Sequence, residues 1–187
     1  MGSTRGSSLV PILAAWKQGR LQCSPELVFS NRKSAGILDK GRDAGIETLW
    51  LPVQGRDRED YDREVSAQME ERSMDFILLI GYMRILSPWF VQQWQGRVVN
   101  VHPSLLPKYA GMMDIQIHEA VLSAGDAETG CSVHLVNEEV DGGPVLIQKR
   151  CAVDKSDTPE LLKQRVQALE AASFLELLVS PGHYLKL

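Results

Sequence analysis

Apolar positions along this chain recur with two periods, and segments of the two kinds alternate. Leu9, Ile12, Leu13 and Trp16 fall at helical spacing in a stretch that stops at Gly19, which predicts a helix over Leu9 to Lys17. Leu27-Val28-Phe29 reads as a short buried strand ending in Ser30-Asn31. Ala35 to Ala44 reads as a short helix closed by Gly45, and Ile46 to Leu51 as a second strand ended by Pro52. Over residues 59 to 73, Tyr61, Val65 and Met69 form one stripe among charges, the mark of an amphipathic helix. Phe76-Ile77-Leu78-Leu79-Ile80 is an unbroken apolar run between Asp75 and Gly81, as expected of a strand covered on both faces. Ser87-Pro88 opens a short helix through Trp94, and Val98 to Val101 is a further strand, broken by Pro103.

In the second half Ile115 to Ser123 is helical and stops at Gly125, Ser132 to Val136 alternates, and Val145 to Val153 is a longer strand after Gly142-Gly143-Pro144. Thr158 caps and Pro159 opens a long helix, with Leu162, Val166, Leu169 and Ala172 expected on its buried stripe. Strands alternating with helices predict a single α/β domain over residues 1–187, built on a mainly parallel sheet. A doubly wound domain reaches its first glycine loop from an apolar strand, whereas here Met1 already stands where such a strand ends. The sheet is therefore expected to lack its first strand, with a gap in the core beneath Leu9, Ile12 and Leu13.

Composition narrows the class. Of 187 residues 44% are hydrophobic and 24% charged, which describes a globular chain with a sizeable core rather than a disordered or repetitive one. The net charge of −4 and the absence of any basic run argue against nucleic acid or an anionic membrane surface as partner. No apolar run reaches the ~18–20 residues of a membrane span, and no cleavable leader is evident. Cys23, Cys131 and Cys151 lack CxxC spacing, and reduced thiols in a cytoplasmic protein are expected. His118 and His134 stand without a local carboxylate or thiolate cluster, so no metal site is expected.

Three segments carry candidate chemistry. In Asn100-Val101-His102 the strand period puts Asn100 and His102 on one face and Val101 towards the core, at a strand end where open α/β sheets bind ligands. An amide beside an imidazole can stabilise an oxyanion and move protons, or it can simply cap a strand, and spacing alone leaves both readings open. The segment Pro103 to Gly111 is too rich in proline for regular structure and too apolar for a solvent loop, as in a shaped loop lining a site. Asp141-Gly142-Gly143-Pro144 is a turn by composition, and a chemical role requires Asp141 to approach His102. Gly2 to Ser8 is a glycine- and hydroxyl-rich loop opening a helix, able to offer N–H groups and a helix dipole to a phosphate.

Taken in order, NVHPSLLPKYAG, EVDGGPV, the preceding GYMRILSP and the RVQALE of the last helix resemble the phosphoribosylglycinamide formyltransferases, from Arg5-Gly6-Ser7 to about Leu178. The resemblance implies a Rossmann-like, three-layer α/β fold. It also implies transfer of a formyl group from 10-formyltetrahydrofolate to the amine of glycinamide ribonucleotide in purine biosynthesis, by a monomer or homodimer acting on small molecules without a metal. By the same resemblance Asn100, His102 and Asp141 are catalytic, and Gly6, Ser7 and Ser8 hold phosphate. Glu170 holds the ribose hydroxyls, and Gln167, at i, i+3 on the same face, also faces the nucleotide. Tyr82, Met83, Arg84, Ile85 and Leu86, with Val140, Gly142 and Gly143, hold the folate. The chain departs from the family pattern at Ser8, where asparagine is usual, in the longer Met112 to His118 segment, in the absent first strand and in a missing hairpin after Tyr184.

The implied chemistry is attack of an amine on the formyl carbon, with charge on the formyl oxygen held by Asn100 and a protonated His102. Asp141 favours that protonation and positions a proton-shuttling water. Two alternatives use the same residues. A formyltetrahydrofolate deformylase delivers water instead of an amine, but its family carries HHSFLP-like residues where this chain has HPSLLP. An inactive truncated copy folds but fails to hold nucleotide.

Overall fold

The computed structural model describes residues 1–186. In chain order the elements are α1 (Leu9–Lys17), β1 (Leu27–Ser30), α2 (Gly36–Ala44), β2 (Glu47–Trp50), α3 (Arg58–Glu71), β3 (Ile77–Leu79) and α4 (Pro88–Gln93). They continue as β4 (Val98–His102), α5 (Ile115–Ser123), β5 (Glu128–Leu135), β6 (Val145–Ala152), α6 (Pro159–Val179) and α7 (Pro181–Tyr184). Side chains fix several starts: Asp57 accepts from the Asp60 N–H (2.8 Å), Ser87 from Phe90 (3.2 Å) and Thr158 from Leu161 (3.3 Å). Each cap satisfies a helix donor that has no partner within the helix.

β1 and β2 pair in parallel, and a second sheet runs in the order β3-β4-β5-β6. The β3–β4 pair is parallel, while β5 is antiparallel to both β4 and β6, so β5 alone opposes the common direction of its sheet. The described residues hold no strand ahead of the first loop. Instead Met1 to Ser3 bridge the sheets: Gly2 N–H donates to the Phe29 carbonyl (3.0 Å), Ile80 N–H to Met1 (2.8 Å) and Ser3 N–H to Gly81 (2.9 Å).

Two apolar layers flank the strands. Tyr61, Val65 and Met69 of α3 and Phe90 and Trp94 of the α4 segment pack on Ile77, Leu79 and Val98. On the other face Leu9, Ile12 and Leu13 of α1 and Phe174, Leu177 and Leu178 of α6 pack with Ile80, Val99, Val133 and Ile147. Alternate residues of β3 and β4 thus serve opposite layers, which explains the unbroken apolar run at 76–80. Each such buried side chain contributes roughly 1.5–3 kcal/mol of transfer free energy.

Three expectations need correction. Leu9, Ile12 and Leu13 are fully engaged in the core, at 6%, 3% and 6% exposure, rather than lying over a gap. On α6 the stripe runs through Leu162, Val166, Ser173 and Phe174, and Ala172 is exposed. At ~100° per residue, position 173 returns to the face of Leu162 and position 172 does not. β5 begins at Glu128 rather than at Ser132, because Glu128 to Cys131 pair with Ala152 to Lys149 of β6.

Candidate active site

β4 ends in the cavity with Asn100 and His102 side by side on one face. The register places Asn100 between Leu79 of β3 and His134 of β5. The Leu135 carbonyl accepts from Nδ1 of His134 (2.9 Å), so Nε2 of His134 accepts from the Asn100 amide (3.1 Å). His102 turns Nε2 to the Tyr109 carbonyl (3.0 Å) and Nδ1 to the Asp141 carboxylate (3.2 Å). Asp141 also accepts from the Gly111 N–H (2.9 Å) and stands 3.5 Å from His134 Nε2. Asn100, His102, His134 and Asp141 are therefore one connected group.

Local sequence explains why it assembles. The turn after β5 carries Asp141 at a positive φ of 55°, closed by the Gly142 N–H on the Glu139 carbonyl (3.1 Å). Gly143 is required at the next corner, since a Cβ there would lie 1.8 Å from the Leu135 carbonyl oxygen. The Pro103 to Gly111 loop is held from below: Ser132 Oγ donates to the Ser104 carbonyl (2.7 Å) and accepts from the Leu106 N–H (3.0 Å). Regular spacing of β5 puts Ser132 under the loop and His134 beside Asn100.

Burial outweighs the Asp141 charge and the Tyr109 carbonyl at His102, and lowers its pKa below 6.5. The expected pull of Asp141 towards the charged ring is present, but desolvation opposes it and is the larger effect. Asp141 feels burial first, but the Gly111 N–H and the fields of the neighbouring His102 and His134 rings bring its carboxyl below the usual range. Burial pushes Glu170 up to about 7 against the Ser8 hydroxyl and Lys163.

The group lies on the wall of a cavity of about 720 Å³ at the strand ends. One end is formed by Gly6, Ser7, Ser8, Gln167 and Glu170. Ser8 Oγ donates to Glu170 (3.2 Å), and among the described residues no protein group accepts from the N–H of Gly6, Ser7 or Ser8. The wall also carries Tyr82, Met83, Arg84, Ile85, Leu86 and Val140, of which Met83, Ile85 and Val140 expose apolar surface. Gly142 and Gly143 lie behind that wall and shape the turn rather than line the cavity. From the sequence His134 is weighed only as a metal ligand, and nothing there marks the Tyr109 carbonyl or the Gly111 N–H. The alternation of Ser132, His134 and Val136 puts His134 on one face of its strand, but its pairing with Asn100 depends on the antiparallel register of β4 and β5.

A family model described as formyl transferase matches residues 1–178, and the chain belongs to this family. Over 173 residues it is 42% identical to phosphoribosylglycinamide formyltransferase of Escherichia coli (strain K12), spanning 92% of this chain and 80% of that protein. It is 36% identical to the trifunctional purine biosynthetic protein adenosine-3 of Homo sapiens, of which it spans 17%. Among solved structures, glycinamide ribonucleotide transformylase 1 from Symbiobacterium toebii superposes with a TM-score of 0.92 at 30% identity, covering 97% of this chain and 85% of that one. Phosphoribosylglycinamide formyltransferase from Brucella melitensis gives 0.90 at 34% identity, covering 100% and 95%. No described helix is long and apolar enough to cross a membrane.

Proposed function

We propose that this chain transfers the formyl group of 10-formyltetrahydrofolate to the primary amine of glycinamide ribonucleotide, without a metal. The observation that carries the proposal is the convergence of Asn100, His102 and Asp141 between an anion-binding loop and an apolar wall. Phosphate seats on the free N–H groups of Gly6, Ser7 and Ser8 at the start of α1, and the ribose hydroxyls meet Glu170 and Gln167. The folate ring lies against residues 82–86 and Val140, with Gly142 and Gly143 shaping the turn behind it. The amine nitrogen attacks the formyl carbon and the carbonyl oxygen becomes anionic. Asn100 donates its amide hydrogen to that oxygen, and the new anion draws the His102 pKa upwards so that the ring takes a proton from solvent water, shares the charge, and returns the proton when the carbonyl re-forms. Asp141 stabilises the imidazolium and accepts from a water that carries the proton from the attacking amine to the departing folate nitrogen. A deformylase needs only water as acceptor, and an anion-binding loop facing a buried carboxylate favours the transferase.

The test is direct. His102→Ala and Asp141→Asn are each expected to lower formyl transfer by ~10²-fold or more while circular dichroism stays that of the wild type. Tetrahydrofolate release is expected to depend on added glycinamide ribonucleotide. Release without the nucleotide, or near-normal rates in either folded variant, overturns the assignment.

A further inference from the structure

His118 is the one imidazole of the cavity that the catalytic group leaves unused. It lies on α5 with 1% of its surface exposed, lines the cavity, and its Nδ1 has no hydrogen-bond partner. A buried polar nitrogen without a partner costs free energy, so a ligand that supplies one is favoured. Lys163 on α6, a helix packed against α5, also lines the cavity, near enough for its charge to act on His118. Lys163, Gln167 and Glu170 stand at i, i+4 and i+7 on one helix face, and all three line the nucleotide end. Lys163 is paired only with the exposed carboxylate of Asp114, four residues before His118. With the Asp114 carboxylate open to water, the pair is screened and can exchange its partner.

The anion site needs a cation. Glu170 is hydrogen-bonded to Ser8 inside the proposed phosphate loop, so an incoming phosphate meets a carboxylate. Lys163 is the cation whose field reaches both Glu170 and His118. We propose that Lys163 and His118 form the second wall of the phosphate subsite. Lys163 leaves Asp114 to pair with the phosphate ester of the nucleotide, and the free His118 ring hydrogen-bonds the same group. This rests on the nucleotide reading given above and adds two residues from α5 and α6 to it.

Calorimetry with glycinamide ribonucleotide, with the dephosphorylated glycinamide riboside and with a folate analogue separates the possibilities. Lys163→Met and His118→Asn are each expected to weaken nucleotide binding by about tenfold or more, the usual effect of losing a hydrogen bond to a charged group. Both are expected to leave riboside and folate affinity within about twofold, and Lys163→Arg is expected to restore nucleotide binding. Lys163 is half-buried at the cavity edge and not in the core, so its variants carry the test even if His118→Asn does not fold. Equal losses for nucleotide and riboside, or no loss for Lys163→Met, overturn the inference. Wild-type protein that binds nucleotide no better than riboside overturns the nucleotide reading itself, and that result is visible before any variant is made.

Discussion

His118 and Glu170 both face the nucleotide end, and burial gives their ionisation opposite effects on stability. Burial pushes His118 down to about 4 from an ordinary 6.5. The unfolded chain therefore binds a proton that the folded chain refuses, and stability falls as the pH drops from about 6.5 to about 4. Glu170 is pushed up to about 7 from 4.5. There the folded chain keeps a proton that the unfolded chain has lost, so stability falls as the pH rises through that interval. The two windows overlap and hide each other in the wild type, but substitution separates them. His118→Phe is expected to gain stability relative to the wild type as the pH is lowered, by on the order of 2 kcal/mol between pH 7.5 and 4.5. Urea midpoints measured at four or five pH values check this, and parallel curves for the two proteins would show that His118 does not titrate as described. Glu170→Ala has a separate readout: weaker nucleotide binding with folate binding unchanged, titrated ligand by ligand.

The turn from Glu138 to Pro144 shows how an element, rather than a residue, sets the site. A Cβ at Gly143 meets the Leu135 backbone carbonyl, which cannot move without breaking β5, whereas a Cβ at Gly142 meets the exposed side chain of Glu139, which can swing away. Gly143→Ala is expected to shift Asp141 off His102, lowering the transfer rate by ~10²-fold and stability by ~1–3 kcal/mol, with Gly142→Ala much milder. Equal effects of the two substitutions on rate and melting temperature would contradict this account of the turn. The turn also marks where sequence reading reaches its limit. α1 and α5 are read with their observed ends because periodicity and a closing glycine coincide there, and the period of two is enough to pair Asn100 with His102. The start of β5 is missed because Thr129-Gly130 carries no apolar alternation and becomes a strand only through pairing with β6. His134 is visible in the sequence, but its place in the site is not. It joins Asn100 by cross-strand register over 34 residues, and that register has no local signature.

At the scale of the whole molecule the cavity straddles a seam. Arg32, Ser34 and Ala35 reach it from the end of β1, residues 81–86 from the end of β3, and the loop of residues 3–8 lies between them. The two sheets meet through Met1 to Ser3, by the hydrogen bonds of the Gly2, Ser3 and Ile80 amides. A nucleotide seated on Gly6 to Ser8 therefore presses on the segment that joins the sheets, and opening of the seam requires that ligand to leave. At 100 times its dissociation constant such a ligand adds ~2.7 kcal/mol to any opening that releases it. Amide exchange at Gly2, Ser3 and Ile80 is accordingly expected to slow by up to ~100-fold on saturation with glycinamide ribonucleotide. The amides of β2, at the far edge of its sheet, exchange by local fraying that does not release the ligand and are expected to change little. Hydrogen exchange followed by mass spectrometry or NMR, with occupancy confirmed by calorimetry, tests the point. Seam amides that exchange at the same rate with and without bound nucleotide would mean that the ligand does not hold the two sheets together, and the phosphate would have to sit elsewhere than on the loop between them.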